Sequence, residues 1–188
     1  MTHDEAMEQL DRVDLPIQTV QAIFDEFKQD KQIVGMVAMN LSRRTSVYDN
    51  SLGKSDELTS LLRDLSSVDD MGSRWAVAKN HHTPADILEK LARDTINLVR
   101  ALVATNPHTP VYILSNLFSD EKIVRDGLSG NPSTPAKLLK ILAIDTDKMV
   151  RLRVAENPKT TSDILKELLD DSDPDVVKAA ELRLGMQP

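Results

Sequence analysis

The chain has no cysteine. Disulfides, thiolate nucleophiles, cysteine zinc sites and cysteine-held iron–sulfur clusters are excluded together. Aromatic residues are scarce, with one Trp, two Tyr and three Phe, too few for stacked base platforms or aromatic ligand cages. No apolar run approaches the ~20 residues that a bilayer span requires, and mean hydropathy is −0.30. The acidic opening from Met1 to Glu5 lacks the basic region of a signal peptide, so a cytoplasmic protein with no membrane partner is the expectation. No Walker loop, dinucleotide fingerprint or paired-carboxylate set is present. The expectation is therefore no enzyme, no catalytic residue, no metal and no cofactor.

What the chain does have is acidity and repetition. Its 188 residues carry 23 Lys and Arg against 30 Asp and Glu, a net charge of −7. That charge repels a phosphate backbone unless the basic residues gather on one face. It weighs against a nucleic-acid partner without excluding one.

A block reading V-R-A-L-V-A-T-N-P-H-T-P from Val99 to Pro110 returns from Val124 to Pro135 and from Val150 to Thr161, with an earlier copy from Ser73 to Pro84. The aligned Asn80, Asn106, Asn131 and Asn157 lie 26, 25 and 26 residues apart. Each copy continues into an i, i+1, i+4 leucine stripe, as at Leu138, Leu139 and Leu142. Such a stripe is one face of a helix that needs a neighbour. The Thr-Pro pairs before three stripes fit an N-cap hydroxyl followed by proline at the first helical position. The block itself reads as a brief helix with apolar residues at i and i+4, ended by an asparagine suited to the left-handed conformation. A ladder of asparagines holding peptide backbone is the alternative.

Upstream the pattern weakens. Val37-Ala-Met-Asn40 still matches Val103-Ala-Thr-Asn106. Residues 1–72 are read as degenerate helical repeats with an inserted loop at about 41–57, and residues 73–188 as regular repeats (73–98, 99–123, 124–149, 150–175) closed by a capping helix at 176–184.

The pattern V-R-x-x-V-A-x-N-P-x-T-P-x-x-L-L-x-x-L resembles the leucine-rich repeat variant family, clearly over about residues 73–184 and weakly over 17–65. The resemblance implies an all-α, right-handed α-solenoid of ~26-residue repeats, alternating a longer α-helix with a short α or 3₁₀ helix, without β-sheet. HEAT-like solenoids are the neighbouring alternative, distinguished by an α-helical short element. Some members of the family carry a cysteine-bound iron–sulfur module, which this chain cannot hold.

Arg74, Arg100, Arg125 and Arg151 share one repeat position, and Asp94, Asp120 and Asp145 precede the last three by five or six residues. A ladder of ion pairs follows, with a phosphate- or carboxylate-gripping stripe as the alternative. The columns that vary between copies are the guide to a binding face. They place Trp75, Lys79 and Tyr112 outward as anchors for a protein or peptide partner, unless Trp75 fills a gap where the regular repeats begin. His81, His82 and His108 read as loop-tip residues. The acidic run Asp171 to Asp175 lacks the glycine and glutamate of an EF-hand and reads as a cap. Gly127 and Gly130 read as softening a helix. Arg43-Arg-Thr-Ser46 resembles a basophilic kinase site. The expectation is a non-enzymatic scaffold; the alternatives are a nucleic-acid-binding solenoid using the arginines and an acidic mimic of a basic partner's ligand.

Overall fold

A computed structural model describes residues 1–44 and 55–186. Among them there are thirteen α-helices and no strand, and none of the helices is long and apolar enough to cross a membrane. Contacts group the chain into two compact units, Met1–Leu91 and Ala92–Pro188. This division by packing falls later than the division by sequence regularity at residue 72.

The second unit is built from the clearest repeats. Helices α7 (Asn97–Thr105), α9 (Lys122–Gly130), α11 (Lys148–Glu156) and α13 (Pro174–Arg183) pack in succession, and α8 (Val111–Leu117), α10 (Ala136–Leu142) and α12 (Ser162–Leu168) lie against them. The leucine stripes supply the core: Leu114, Leu139 and Leu165 are at most 3% exposed. They meet the valines of the other helix type, where Val99, Val124, Val150 and Val176 are fully buried. Each helix thus hides an apolar stripe that it cannot bury alone, which is the physics of a repeat solenoid.

The first unit holds α1 (His3–Leu10), α2 (Ile17–Phe27), α3 (Lys31–Arg44), α4 (Asp56–Leu65), α5 (Met71–Lys79) and α6 (Ala85–Leu91). Here α3 packs between α1 and α5, and α2 packs on α3 and α4. The expected loop at 41–57 is partly helical: residues 41–44 complete α3, and Ser55 caps α4 by accepting from the Leu58 amide. Thr45 and Ser46 of the kinase-like motif lie outside the described residues.

Three local expectations are corrected. Both helices of each repeat are α-helical, and the one read as brief is the longer, nine residues against seven. The asparagines do end that helix, but in extended conformation, with φ between −73° and −65° and ψ between 120° and 128°. A following proline pushes three of them there. The threonines do not cap the leucine-rich helices. Each hydroxyl instead donates backwards over 2.5–2.7 Å to the carbonyl six residues earlier, as Thr109 does to Val103. It thereby gives a second donor to a carbonyl at the end of the preceding helix that already accepts the asparagine amide, leaving proline at the N-cap of α8 and α10.

Candidate partner-binding surface

The polar residues that recur are turned inward. Asn131 and Asn157 each make three bonds. Nδ2 of Asn131 donates to the carbonyls of Ala104 (2.6 Å) and Asn106 (2.9 Å), and that of Asn157 to Ser129 (2.6 Å) and Asn131 (2.9 Å). Oδ1 accepts the amide two residues on, from Ser133 and Lys159. Both side chains are at least 98% buried, and every donor and acceptor is matched, as burial demands. The ladder closes on Arg183, whose Nη1 donates over 2.8 Å to the carbonyls of Glu156 and Asn157. These asparagines hold backbone, and the backbone is the chain's own.

The arginines form a second ladder. Arg100, Arg125 and Arg151 each grip, through Nε and Nη2, the aspartate twenty residues ahead: Asp120, Asp145 and Asp171, at 2.6–3.2 Å. Each Nη1 bonds a backbone carbonyl behind it, that of Asp94, Asp120 or Asp145. Asp120 and Asp145 therefore offer their carbonyls to the arginine that follows and their carboxylates to the arginine of the repeat before. Bidentate guanidinium–carboxylate pairing is the strong form of this contact. The Arg100 and Arg151 guanidiniums hold the Asp120 and Asp171 carboxyls below the usual range against the opposing effect of burial. At Asp145 burial pushes upward most strongly, yet the Arg125 hydrogen bonds keep the carboxyl lowered. Arg74 donates to the Val68 carbonyl at 3.0 Å.

The varying columns sit differently. Trp75 is half-buried on α5, and Lys79, one turn on, lies with Nζ 5.0 Å from the centre of its ring. Tyr112 is 52% exposed in the first turn of α8, in the other unit. The structure thus brings Trp75 and Lys79 together and engages Arg100, Arg125 and Arg151 within the repeat stack. His82 and His108 offer their backbone amides to Asn80 and Asn106. Asp171 holds Arg151, and Asp173 caps α13 by accepting from the Asp175 amide. A depression of about 320 Å³ beside α12 is lined by Ile144, Arg151, Glu167 and Asp171, of which Arg151 and Asp171 hold each other.

Gly127 is not a softener. A Cβ there would lie 2.8 Å from Thr105 Oγ1 and 2.9 Å from the Ala101 carbonyl, so glycine is what lets α9 approach α7. One group of surface residues escaped the column comparison, which stopped at the four regular copies. Extending it to Val37-Ala-Met-Asn40 sets Gly35 in the Trp75 column and Met39 in the Lys79 column.

These features define an all-α tandem-repeat protein, in whose second unit asparagine and arginine rungs lock one repeat to the next. Neither a family model nor a curated protein matches the chain. Among solved structures it is similar to one described as a leucine-rich repeat variant with a novel repetitive protein structural motif: 23% identity, a TM-score of 0.54, covering 87% of this chain and 71% of that one. The chain has that protein's fold.

Proposed function

We propose that the chain is a non-enzymatic scaffold that binds another protein or peptide, in the cytoplasm, through the exposed flank of its stacked helices. One observation carries this reading. The recurring asparagines and arginines bond between neighbouring repeats, while the Lys79 and Tyr112 columns, whose identity changes from copy to copy, face solvent in every regular copy. A surface that varies over a constant frame is how repeat proteins present extended binding faces. Trp75 and Tyr112 are its large amphipathic groups, and Lys79 lies against the first of them. In a pull-down from the native host, Trp75→Ala and Tyr112→Ala should each release partner while thermal melting stays unchanged; melting that falls with either variant would make that residue part of the core instead.

The nucleic-acid alternative would recruit Arg100, Arg125 and Arg151, whose guanidiniums already face carboxylates and carbonyls. It requires affinity that drops steeply with salt and weakens in Arg100→Ala with Arg125→Ala; the expected result is no salt-dependent binding at all.

A further inference from the structure

We propose that the adjacent flanks of α3 and α5 dock a short acidic segment of the partner protein, one that carries a large apolar residue between its carboxylates. This rests on the reading of the chain as a binding scaffold and names the partner's chemistry at one place on it.

The two helices pack side by side within the first unit, and the match of Val37-Ala-Met-Asn40 with Val77-Ala-Lys-Asn80 sets their register. Three pairs of equivalent positions follow at successive turns: Lys31 with Met71, Gly35 with Trp75, Met39 with Lys79. All six are exposed or half-exposed, Met39 and Met71 at 54% and 44%. Residues four apart share one face of a helix, so the pairs form a continuous patch.

The composition of the patch is the argument. Neither α3 nor α5 contains a single Asp or Glu, in a unit whose other helices α1, α2, α4 and α6 all carry them. The matching columns of the second unit contain Asp126 and Glu156. Lys31 and Lys79 have no ion pair among the described residues, whereas Arg43 on the margin is held by Asp11 at 3.0 Å. The two lysines therefore stand at opposite corners of an apolar middle. That middle has a dent: a Cβ added to Gly35 would meet nothing within 4 Å, and the Trp75 ring occupies the equivalent position next door. Methionines flank it, and their soft, adaptable side chains suit a binding surface.

Two helical turns along the axis and one interhelical step across place the lysine Cα atoms roughly 15 Å apart. In an extended chain, residues i, i+2 and i+4 point to one side over about 13 Å. Carboxylates at i and i+4 then reach the two ammonium groups, and an apolar side chain at i+2 enters the dent against Trp75.

The test pans a phage library of random peptides on the whole protein. Enriched sequences should be acidic with a large apolar residue between carboxylates. Trp75 is the only tryptophan, so its emission should shift on titration with a synthetic copy of the selected peptide. Lys31→Glu with Lys79→Glu changes only exposed residues; it should weaken that peptide at least about tenfold with melting unchanged, and turn selection toward basic sequences. Neutral or basic peptides emerging on the wild-type protein, no enrichment, or acidic peptides that leave Trp75 emission and the double variant's affinity unaltered would each overturn the proposal. A native partner lost with Tyr112→Ala but retained by the double lysine variant would overturn it while sustaining the scaffold reading.

Discussion

Asn40 in the first unit and Asn157 in the second make two bonds alike and a third that differs. Nδ2 of Asn40 donates to the carbonyls of Leu10 and Arg12 at 2.7 and 2.9 Å, matching the two donations of Asn157. The acceptor side diverges. In Asn157 it folds a turn by taking the Lys159 amide, whereas in Asn40 it takes Nε of Arg44 at 2.6 Å, because α3 runs on past the asparagine instead of turning at a proline. Arg44 is buried and also donates to the Leu15 carbonyl. The bond between neighbouring helix pairs persists where the local turn has been lost, so the stacking contact is the more constrained feature.

Leu62 and Leu139 hold the same place in their stripes, both at 0% exposure. Truncating either to alanine should cost about 2–5 kcal/mol, measured by denaturant unfolding; a far smaller cost for Leu62 would mark the first unit as loosely packed. The asparagines come next. Asn131→Ala takes the side-chain donor from the Ala104 carbonyl and leaves the Asn106 carbonyl only the Thr109 amide, while Asn40→Ala does the same at Leu10 and Arg12, where the Leu15 amide remains, and removes the acceptor of Arg44 Nε, so each should lose about 2–4 kcal/mol. A nearly neutral Asn40→Ala would break the equivalence drawn above.

The glycines should part company in sign. Gly127→Ala forces a Cβ against the Ala101 carbonyl and should destabilise by about 1–3 kcal/mol. Gly35→Ala meets open space within a helix and should stabilise by about 0.5–1 kcal/mol, while filling the dent beside Trp75 and weakening the selected peptide. A ladder rung falls between the two glycines in size. Asp145→Asn should cost about 1–2 kcal/mol, since Arg125 retains partial access to solvent. Carboxyls held below their unfolded values contribute stability above about pH 4 and lose it as pH falls through the folded value. Asp120, Asp145 and Asp171 are all lowered, so acid should depress the melting temperature from that range downward, and less steeply in Asp145→Asn.

The repeat, its two helices and its buried leucines were readable because apolar spacing and copy number are written in the chain itself. Side-chain direction was not. The recurrence of Asp94, Asp120 and Asp145 near the arginines announced a ladder between stacked turns, but spacing alone does not say which copy's carboxylate each arginine holds; twenty residues of fold separate Arg125 from the carboxylate it holds. Threonine before proline has two uses for its hydroxyl, and only the position of the Val103 carbonyl decides between them. At the candidate surface, Trp75 and Lys79 stood out as variable and large. Gly35 and Met39 did not, since a glycine and a methionine in a diverged copy carry no signal until α3 is seen to pack on the helix that bears that tryptophan.

The acceptors that Asn157 uses on one copy are the counterparts of those that Asn131 uses on the copy before. A segment cut after one asparagine and rejoined after the next leaves every amide of this ladder facing a suitable carbonyl. Gene-level duplication or loss of whole modules is thereby made conformationally cheap, and the number of copies becomes a quantity that selection, or an engineer, can adjust without redesigning a seam.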